Sequence, residues 1–299
     1  MKKFASTFLL SAALLFAGQQ AAAAQTNQWR PISGSQQDNI SGMALIERVG
    51  QKTAFLVVND NKKPRQNRAA ILIIEGRAAP QYAKLRWLGD DIPVDLEAVT
   101  GIPGAANNFM ALTSAGRVFH IELNRSDNSV KVIKSFDVPH IPKNSEFEGF
   151  ALQKVNDVLL AVWADRGLEA QPAQLFWGKF DLKNYAFTQI DSVFLKVPYP
   201  SENARHISDV KVDASGAVFI TSASDPGDTG PFASAFYFAG TFNFCNAQKI
   251  TFNQSPHLTR LLALDYHKIE AFEFVPGASG GVAFGTDDEN LGAAIRLDW

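Results

Sequence analysis

Hydrophobic and polar residues alternate along this chain in short runs, and the runs recur in five groups. Each group opens with one motif: a polar residue, a large apolar residue, Ser or Glu, a residue that is small in four of the five copies, and another apolar residue. The copies lie at residues 39–43, 95–99, 146–150, 206–210 and 268–272. Their Ser or Glu positions are 41, 97, 148, 208 and 270, so the spacing is 51 to 62 residues. Such a period in a strand-rich chain predicts the blades of a β-propeller.

Further strands are predicted after each motif, separated by turns that contain Gly, Asn, Asp or Ser. Second strands are predicted at 54–58, 109–112, 159–163, 217–220 and 281–284, third strands at 71–74, 118–123, 174–180, 232–238 and 293–297, and fourth strands at 84–88, 130–138, 187–195 and 261–265. Residues 29–32 are expected to supply the missing fourth strand of the last blade. Residues 223–230 and 240–257 are predicted as long loops of the fourth blade. The predicted fold class is therefore all-β, a single five-bladed β-propeller closed by an N-terminal strand.

The first residues of the chain predict a secretory signal peptide at 1–24. Lys2 and Lys3 precede an apolar run at 4–18, and four alanines at 21–24 offer small residues for cleavage. The apolar run is shorter than the roughly 20 residues that a membrane-spanning helix needs. We therefore expect a mature propeller domain at 25–299 without a transmembrane helix, located in a bacterial periplasm or secreted.

Charge and cysteine content narrow the function classes. The net charge of −2 and a pI near 6.2 argue against a nucleic-acid or anionic-membrane partner. Cys245 is the only cysteine, so an intrachain disulfide is excluded. The stability of the exported protein is then expected to come from core burial and ring closure, with a bound metal as a further candidate.

The Ser and Glu of the five motifs are the candidate metal ligands. In a propeller the first strands are innermost, so these positions would form a ring at one mouth of the axial channel. The ring is Ser41, Glu97, Glu148, Ser208 and Glu270. Carboxylates facing one another repel unless a cation neutralises them. Oxygen ligands favour a hard ion, most simply Ca²⁺. The alternative is a polar, water-filled channel whose carboxylates bind backbone donors.

Other polar residues are expected at the same mouth and are candidates for ligand binding or catalysis. Polar residues that lie two positions before each ring residue point to the same side of the strand as that residue. Those at the ends of the second strands return to the same mouth. The ligand-binding candidates are Asn39, Asp60, Lys62, Asp95, Glu146, His206, Asp225, Lys268 and Asp287, and the catalytic candidates are Asp165, Arg166 and Asp209. Asp209 stands where the other copies have Gly or Ala, and it reads equally well as a buried Asp bonded to backbone. Most of the other candidates are residue types that are common in turns, which explains their presence without a site.

At these residues the sequence resembles the five-bladed, calcium-binding propellers of the apyrase type, the calcium-activated nucleotidases. That family uses Ser, Glu, Glu, Ser and Glu from successive blades around an axial calcium, an order that Ser41, Glu97, Glu148, Ser208 and Glu270 match. The opening at 146–149 is also similar to secreted esterase-like or phytase-like propellers. The nucleotidases carry an Asp-Arg-Thr-Gly type segment in the second blade, whereas the nearest match here, at 165–167, lies in the third.

Two functions from different classes remain open on the sequence. The first is an exported propeller with an axial calcium site that acts as a binding or scaffold protein for a small-molecule or macromolecular ligand at its mouth. The second is a calcium-dependent phosphoester or ester hydrolase with Asp209 or Asp165 as base. Propellers host both classes, so the fold does not separate them.

Overall fold

The computed structural model describes residues 28–245, 249–277 and 281–298, and the predicted signal peptide lies outside these ranges. The described residues form five sheets and two short 3-10 turns, at Gln36–Asp38 and Glu289–Leu291. In chain order the strands are β1 (Arg30–Ser33), β2 (Gly42–Val49), β3 (Lys52–Val58), β4 (Ala69–Glu75), β5 (Gln81–Lys84), β6 (Arg86–Leu88), β7 (Leu96–Gly101), β8 (Asn108–Thr113), β9 (Arg117–Asn124), β10 (Ser129–Asp137), β11 (Phe147–Val155), β12 (Val158–Asp165), β13 (Ala173–Asp181), β14 (Ala186–Leu195), β15 (Ala204–Val212), β16 (Ala217–Ser224), β17 (Ala233–Cys245), β18 (Lys249–Asp265), β19 (Ile269–Val275), β20 (Gly281–Thr286) and β21 (Ala293–Asp298).

The five sheets are the blades of a propeller, which confirms the predicted fold class. Four consecutive strands form each of the first, third and fourth blades, and β7 to β10 are joined in the second blade by β6. The fifth blade has the order β1-β21-β20-β19, with β1 antiparallel to β21 at the outer edge. The first strands β2, β7, β11, β15 and β19 each pack against the next, and β19 packs against β2. These five strands therefore form a closed ring around the axis.

Two strand predictions differ from the structure. The predicted fourth strand at 84–88 is broken at Leu85: β5 stays in the first blade, and β6 pairs in parallel with β10 of the second blade. Because of this break, the segment from β5 to β6 contributes a strand to each of two neighbouring blades. The predicted loop at 240–257 was wrong, because β17 and β18 continue as a long antiparallel hairpin with Gly240 paired to Gln254. Its Asn-rich composition hid the alternating pattern of Phe242, Phe244 and Phe252.

Apolar side chains fill the spaces between neighbouring blades. Between the second and third blades, Met110 and Leu112 pack with Phe147, and Trp163 stacks on Phe176 at 5.7 Å between ring centroids. Between the fourth and fifth blades a cluster of Phe side chains repeats this contact. Large aromatic rings bury much apolar surface per residue, which is how the phenylalanine-rich sequence joins sheet to sheet. No helix in the described part of the chain is long and apolar enough to cross a membrane.

The small residue in four of the five motifs allows the inner strands to approach one another. A Cβ atom on Gly149 would lie 2.7 Å from Val210 Cγ1, and one on Gly42 would lie 2.7 Å from the Cα atom of Ala98. Contacts this short are repulsive, so a larger side chain would push neighbouring first strands apart. The motif therefore encodes the narrow inner ring directly.

A buried lysine crosses the channel below the motif residues. Lys211, on β15, donates hydrogen bonds to the carbonyl oxygens of Met43 on β2 and Val99 on β7, at 2.9 and 2.8 Å. Its ammonium group also lies 3.7 Å from Asp209 and 3.9 Å from Glu273. One side chain thus links the inner strands of four blades and occupies the middle of the axial channel.

Replacing Gly149 with Ala is expected to lower the free energy of unfolding by about 1–3 kcal/mol, because the added methyl group overpacks the contact with Val210. Urea denaturation followed by intrinsic fluorescence measures this change. The matched control is Gly34→Ala, since nothing lies within 4 Å of that position, and it should change stability by less than about 0.5 kcal/mol. Equal effects of the two substitutions would contradict the packing role of the motif glycine.

Candidate functional site

The three ring glutamates lie at β-bulges. On β7, β11 and β19 the pairing with the second strand skips one residue, and the skipped residues are Glu97, Glu148 and Glu270. An extra residue in a bulge turns its side chain away from the regular alternation of the strand. All three are buried. The repeated bulge is thus the local structure that directs a carboxylate from each of three blades toward the channel.

Arg205 holds two of these glutamates together. Its Nη1 atom lies 2.9 Å from Glu270 Oε1 and 3.4 Å from Glu148 Oε1, and its Nη2 atom donates to Asp225. Burial by itself would lower the pKa of the Arg205 guanidinium, but the neighbouring carboxylates of Glu148, Glu270 and Asp225 raise it above its ordinary value. Arg205 therefore stays charged and supplies a fixed positive charge inside the ring.

Two more cations lie on the same side of the ring. Lys268 Nζ lies 2.9 Å from Glu270 Oε1 and 2.5 Å from Glu289 Oε1, and the carboxylate of Glu270 raises its pKa despite the opposing effect of burial. Arg166 donates to Glu148 Oε1 at 3.1 Å and also pairs with Glu146. The half of the ring that contains Glu148 and Glu270 is thus neutralised by the protein itself.

The other half of the ring is strongly acidic. Carboxylate oxygens of Asp60, Asp95 and Glu97 lie within 4.8 Å of one another, and we call these three residues the acidic cluster. Lys62 pairs with Asp95 at 3.0 Å, but its side chain is 65% exposed and so compensates little. Ser114 donates a hydrogen bond to Asp95 at 2.6 Å. Negative charge therefore concentrates on one side of the mouth.

The pKa values of this half reflect that imbalance. Burial raises the pKa of Glu97 well above its usual range, and the charges of Glu148, Glu270, Asp95 and Asp60 raise it further. Burial and Glu270 likewise raise the pKa of Asp287 and of Asp60. Glu148 lies in the other half of the ring, and there too burial raises the pKa, to about 7, even though Arg205 lowers it. The protonated or cation-bound forms of these acids are therefore favoured.

The two ring serines differ in their surroundings. Ser208 donates a hydrogen bond to the carbonyl of Ile269 at 2.7 Å and lies 3.1 Å from Thr221 Oγ1. Ser41 is fully buried at the start of β2, and its hydroxyl has no hydrogen-bond partner among the described residues. A buried hydroxyl without a partner is costly, so it points to a ligand that satisfies it.

Asn39 connects the first and last blades at the mouth. Its side-chain amide donates to Asp287 Oδ2 at 3.1 Å and also to Asp60. A cavity of about 570 Å³ opens beside these residues. Its lining is polar and includes Gln36, Gln37, Asn61, Gln66 and Asn290. The mouth therefore offers many hydrogen-bond donors and acceptors next to the acidic cluster.

The remaining candidates make local contacts. Asp165 accepts from the backbone N–H groups of Glu146 and Gly167, at 2.9 and 3.0 Å. His206 Nε2 lies 3.0 Å from the carbonyl of Glu169. Asp209 is fully buried and accepts from the N–H groups of Val210 and Phe272, at 2.7 and 3.0 Å. Asp165 and Asp209 are thus both bonded to backbone donors. For Asp209 this agrees with the alternative stated from the sequence, a buried Asp bonded to backbone.

Sequence reasoning missed Arg205, which pairs with Glu148 and Glu270, and Lys211, which lies near Asp209 and Glu273 below the ring. Arg205 lies outside the five-residue motif, and the other motifs have no equivalent cation. A signal for Lys211 was present: it stands between Val210 and Val212 in an apolar strand, two residues after Asp209 and so on the same face. A lysine inside such a strand predicts a buried ion pair.

Comparison with known proteins adds a fold but not a family. No family model matches this sequence, and a search of curated proteins finds no match. An exo-beta-1,3-galactanase from Phanerochaete chrysosporium aligns with a TM-score of 0.50 and 9% identity, over 91% of this chain and 63% of that one, less than two thirds of its length. An alpha-L-arabinofuranosidase from Podospora anserina, in complex with cellotriose, aligns with a TM-score of 0.54 and 11% identity, over 92% and 98%. At such low identity the likeness shows the fold alone.

The raised pKa of Glu97 predicts a pH-dependent effect of Glu97→Gln. The folded protein binds a proton there that the unfolded chain releases, so this contribution to stability is present below a pH of about 4.5 and is lost as pH rises through the folded pKa. In a chelating buffer, the stability of Glu97→Gln relative to the parent protein should therefore increase by on the order of 1–2 kcal/mol between pH 5 and pH 8. Urea titrations across this range measure it.

The control is Glu202→Gln, which removes a carboxylate at an exposed position. Its difference from the parent protein should stay nearly constant with pH. A flat difference for Glu97→Gln as well would contradict the charge imbalance of the ring.

Proposed function

We propose that this protein is an exported binding propeller whose mouth holds a calcium ion and recognises a polar ligand beside it. The observation that carries the proposal is the acidic cluster of Asp60, Asp95 and Glu97 together with the buried, unpartnered hydroxyl of Ser41. All four offer oxygen, and hard divalent cations such as Ca²⁺ prefer oxygen ligands.

The ion is proposed on the acidic side of the ring rather than at its centre. Arg205 and Lys268 already neutralise Glu148 and Glu270, and Ser208 donates its hydroxyl hydrogen to the backbone. A cation shared equally by all five motif residues would lie close to these two positive charges and would be repelled by them. Asp60, Asp95, Glu97 and Ser41 are therefore the residues that would hold it, with water completing the six to eight ligands that calcium takes.

The ligand proposed for the mouth is uncharged and rich in hydroxyl groups. The carboxamides of Gln36, Gln37, Asn61 and Asn290 line the cavity, and each can donate and accept hydrogen bonds. The acids of the same cavity, Asp60, Asp287 and Glu289, outnumber its lysines, Lys62 and Lys63, so an anion is disfavoured unless the cation is bound. Export rests on the N-terminal sequence alone.

Calcium should raise the melting temperature of the parent protein, because an ion that binds only the folded state stabilises it by about 2.7 kcal/mol at one hundred times its Kd. Glu97→Gln should remove most of this shift. The order of stability should then reverse at pH 8: the variant is more stable than the parent in chelator and less stable in calcium.

Differential scanning calorimetry with and without millimolar calcium tests this reversal, and Glu202→Gln serves as the control that keeps the full calcium shift. A parent melting curve that is the same in calcium and in chelator would refute the proposed ion site.

A second candidate function is the calcium-dependent phosphoester or ester hydrolase. The observation that favours it is Arg166, whose guanidinium reaches both Glu146 and Glu148 while its side chain is 20% exposed at the mouth. A guanidinium at this position can stabilise negative charge that develops on a phosphoryl or ester oxygen. A bound divalent ion would supply Lewis-acid polarisation of the same oxygen. Asp165, next to Arg166, is the base candidate nearer to the mouth, whereas Asp209 is fully buried.

If the protein is a hydrolase, calcium-dependent turnover of a nucleoside diphosphate, an aryl phosphate or an aryl ester is expected. Arg166→Met should lower kcat about a hundredfold, as loss of one oxyanion-stabilising donor does. The exposed Arg86 provides the control Arg86→Met. Because a galactanase and an arabinofuranosidase share this fold, an aryl galactoside and an aryl arabinofuranoside complete the panel. Lack of turnover on every substrate, with calcium bound, would leave the binding function.

A further inference from the structure

A second cavity opens at the opposite end of the propeller axis. It also has a volume of about 570 Å³, and the later parts of all five first strands line it, including Leu45, Thr100, Leu152, Val212 and Phe274. Lys211 lies between this cavity and the mouth that carries the acidic cluster. The two cavities are therefore separate sites and not the ends of one open pore.

The walls of this far cavity are mainly apolar. Leu45, Ile102, Pro103, Leu152 and Val275 contribute to them. The polar side chains in the walls are already engaged: Thr100 Oγ1 accepts from the N–H group of Leu152, and Gln153 Nε2 donates to the carbonyl of Val212. A ligand there would bury apolar surface against the walls, as most small-molecule sites do.

The floor of the far cavity carries the charges. Lys211 and Glu273 line it, and Asp209 lies behind Lys211. The Lys211 ammonium gives hydrogen bonds to two carbonyl oxygens and lies 3.9 Å from Glu273 Oε2, which is longer than a hydrogen bond. Asp209 is bonded to backbone N–H groups, and Glu273 Oε1 accepts from Phe274 N–H at 2.8 Å. One ammonium therefore faces two carboxyl groups, whose formal balance is −1 only when both are ionised. Burial raises the pKa of Asp209 to about 7 and also raises the pKa of Glu273, so a second cation is needed to keep both ionised at neutral pH.

We propose that the far cavity is a ligand site for a small organic amine, with its ammonium group against Glu273 Oε2 and its apolar part against Leu45, Leu152 and Val275. Charge complementarity selects this ligand class. A carboxylate would meet the two acids while Lys211 is held by carbonyl oxygens, and a neutral alcohol would leave the surplus negative charge uncompensated. Burial raises the pKa of Glu273, although Lys211 and the backbone N–H groups of Phe274 and Leu45 lower it, so a bound ammonium group would favour the ionised carboxylate.

Isothermal titration calorimetry with n-hexylamine, n-hexanol and hexanoate, in chelator at neutral pH, tests the proposal. The amine should bind at least tenfold more tightly than the alcohol, and hexanoate should not bind measurably. Glu273→Gln should lower the affinity for the amine about tenfold or more, because it removes a hydrogen bond to a charged group. The mouth variant Glu97→Gln should leave this affinity unchanged, which separates the far cavity from the proposed calcium site.

A charge pair at the rim provides a test that does not disturb the core. Pro103 lies in the turn after β7, so Pro103→Lys should weaken amine binding and Pro103→Glu should strengthen it, each by a few fold. Equal binding of amine and alcohol, preference for hexanoate, the absence of binding by all three, or identical affinities of the two Pro103 variants would overturn the proposal.

Discussion

Arg205 makes salt bridges inside the inner ring that offset the cost of burying its glutamates. Five first strands meet closely enough that a Cβ atom on Gly149 would clash with its neighbour, and three of them bring a glutamate to the same buried space. Buried carboxylates that lack counter-charges are expensive. Arg205 links Glu148 of the third blade, Glu270 of the fifth and Asp225 of its own blade. The same salt bridges therefore connect the blades and neutralise the buried carboxylates.

The cations divide the axis into regions with different chemistry. Arg166, Arg205 and Lys268 neutralise one half of the mouth, and the acidic cluster dominates the other half. Further along the axis, Lys211 closes the channel with hydrogen bonds to Met43 and Val99. The propeller therefore has two unlike cavities and not one symmetric pore. Two of the cations responsible, Arg205 and Lys211, lie on β15, whose motif also carries Asp209 in place of a small residue.

Much of the fold could be predicted from the sequence because each blade repeats the same local physics. The motif marks the inner strand, its small residue marks the close approach, and alternating runs mark the outer strands. The two predictions that were wrong concern residues outside the repeated pattern. The switch of β6 into the next blade depends on a break at Leu85 that no periodicity marks. The long β17–β18 hairpin was read as a loop because Asn and Gln interrupt its aromatic pattern.

The acidic residues of the candidate site could be predicted from the sequence, but its cations could not. Treating the five motifs as equivalent predicted one ring for Glu97, Glu148 and Glu270, which lie at equivalent bulges, but it also implied a symmetric ring. Their role as metal ligands stays a prediction. Arg205 has no counterpart in the other blades, and it lies where the regular pairing of β15 with β16 is interrupted, between Arg205 and Asp209. Such a contact follows from tertiary geometry, so spacing along the chain could not reveal it.

We propose that protein cations neutralise one half of the inner ring and that a bound ion neutralises the other half. A crystal structure with calcium present, in which anomalous scattering locates the ion, tests this proposal. One calcium peak is predicted about 2.3–2.6 Å from oxygens of Asp60, Asp95 and Glu97, with Arg205 still bonded to Glu148 and Glu270. A peak on the axis with Arg205 displaced, or no peak while the three carboxylates stay together, would contradict it.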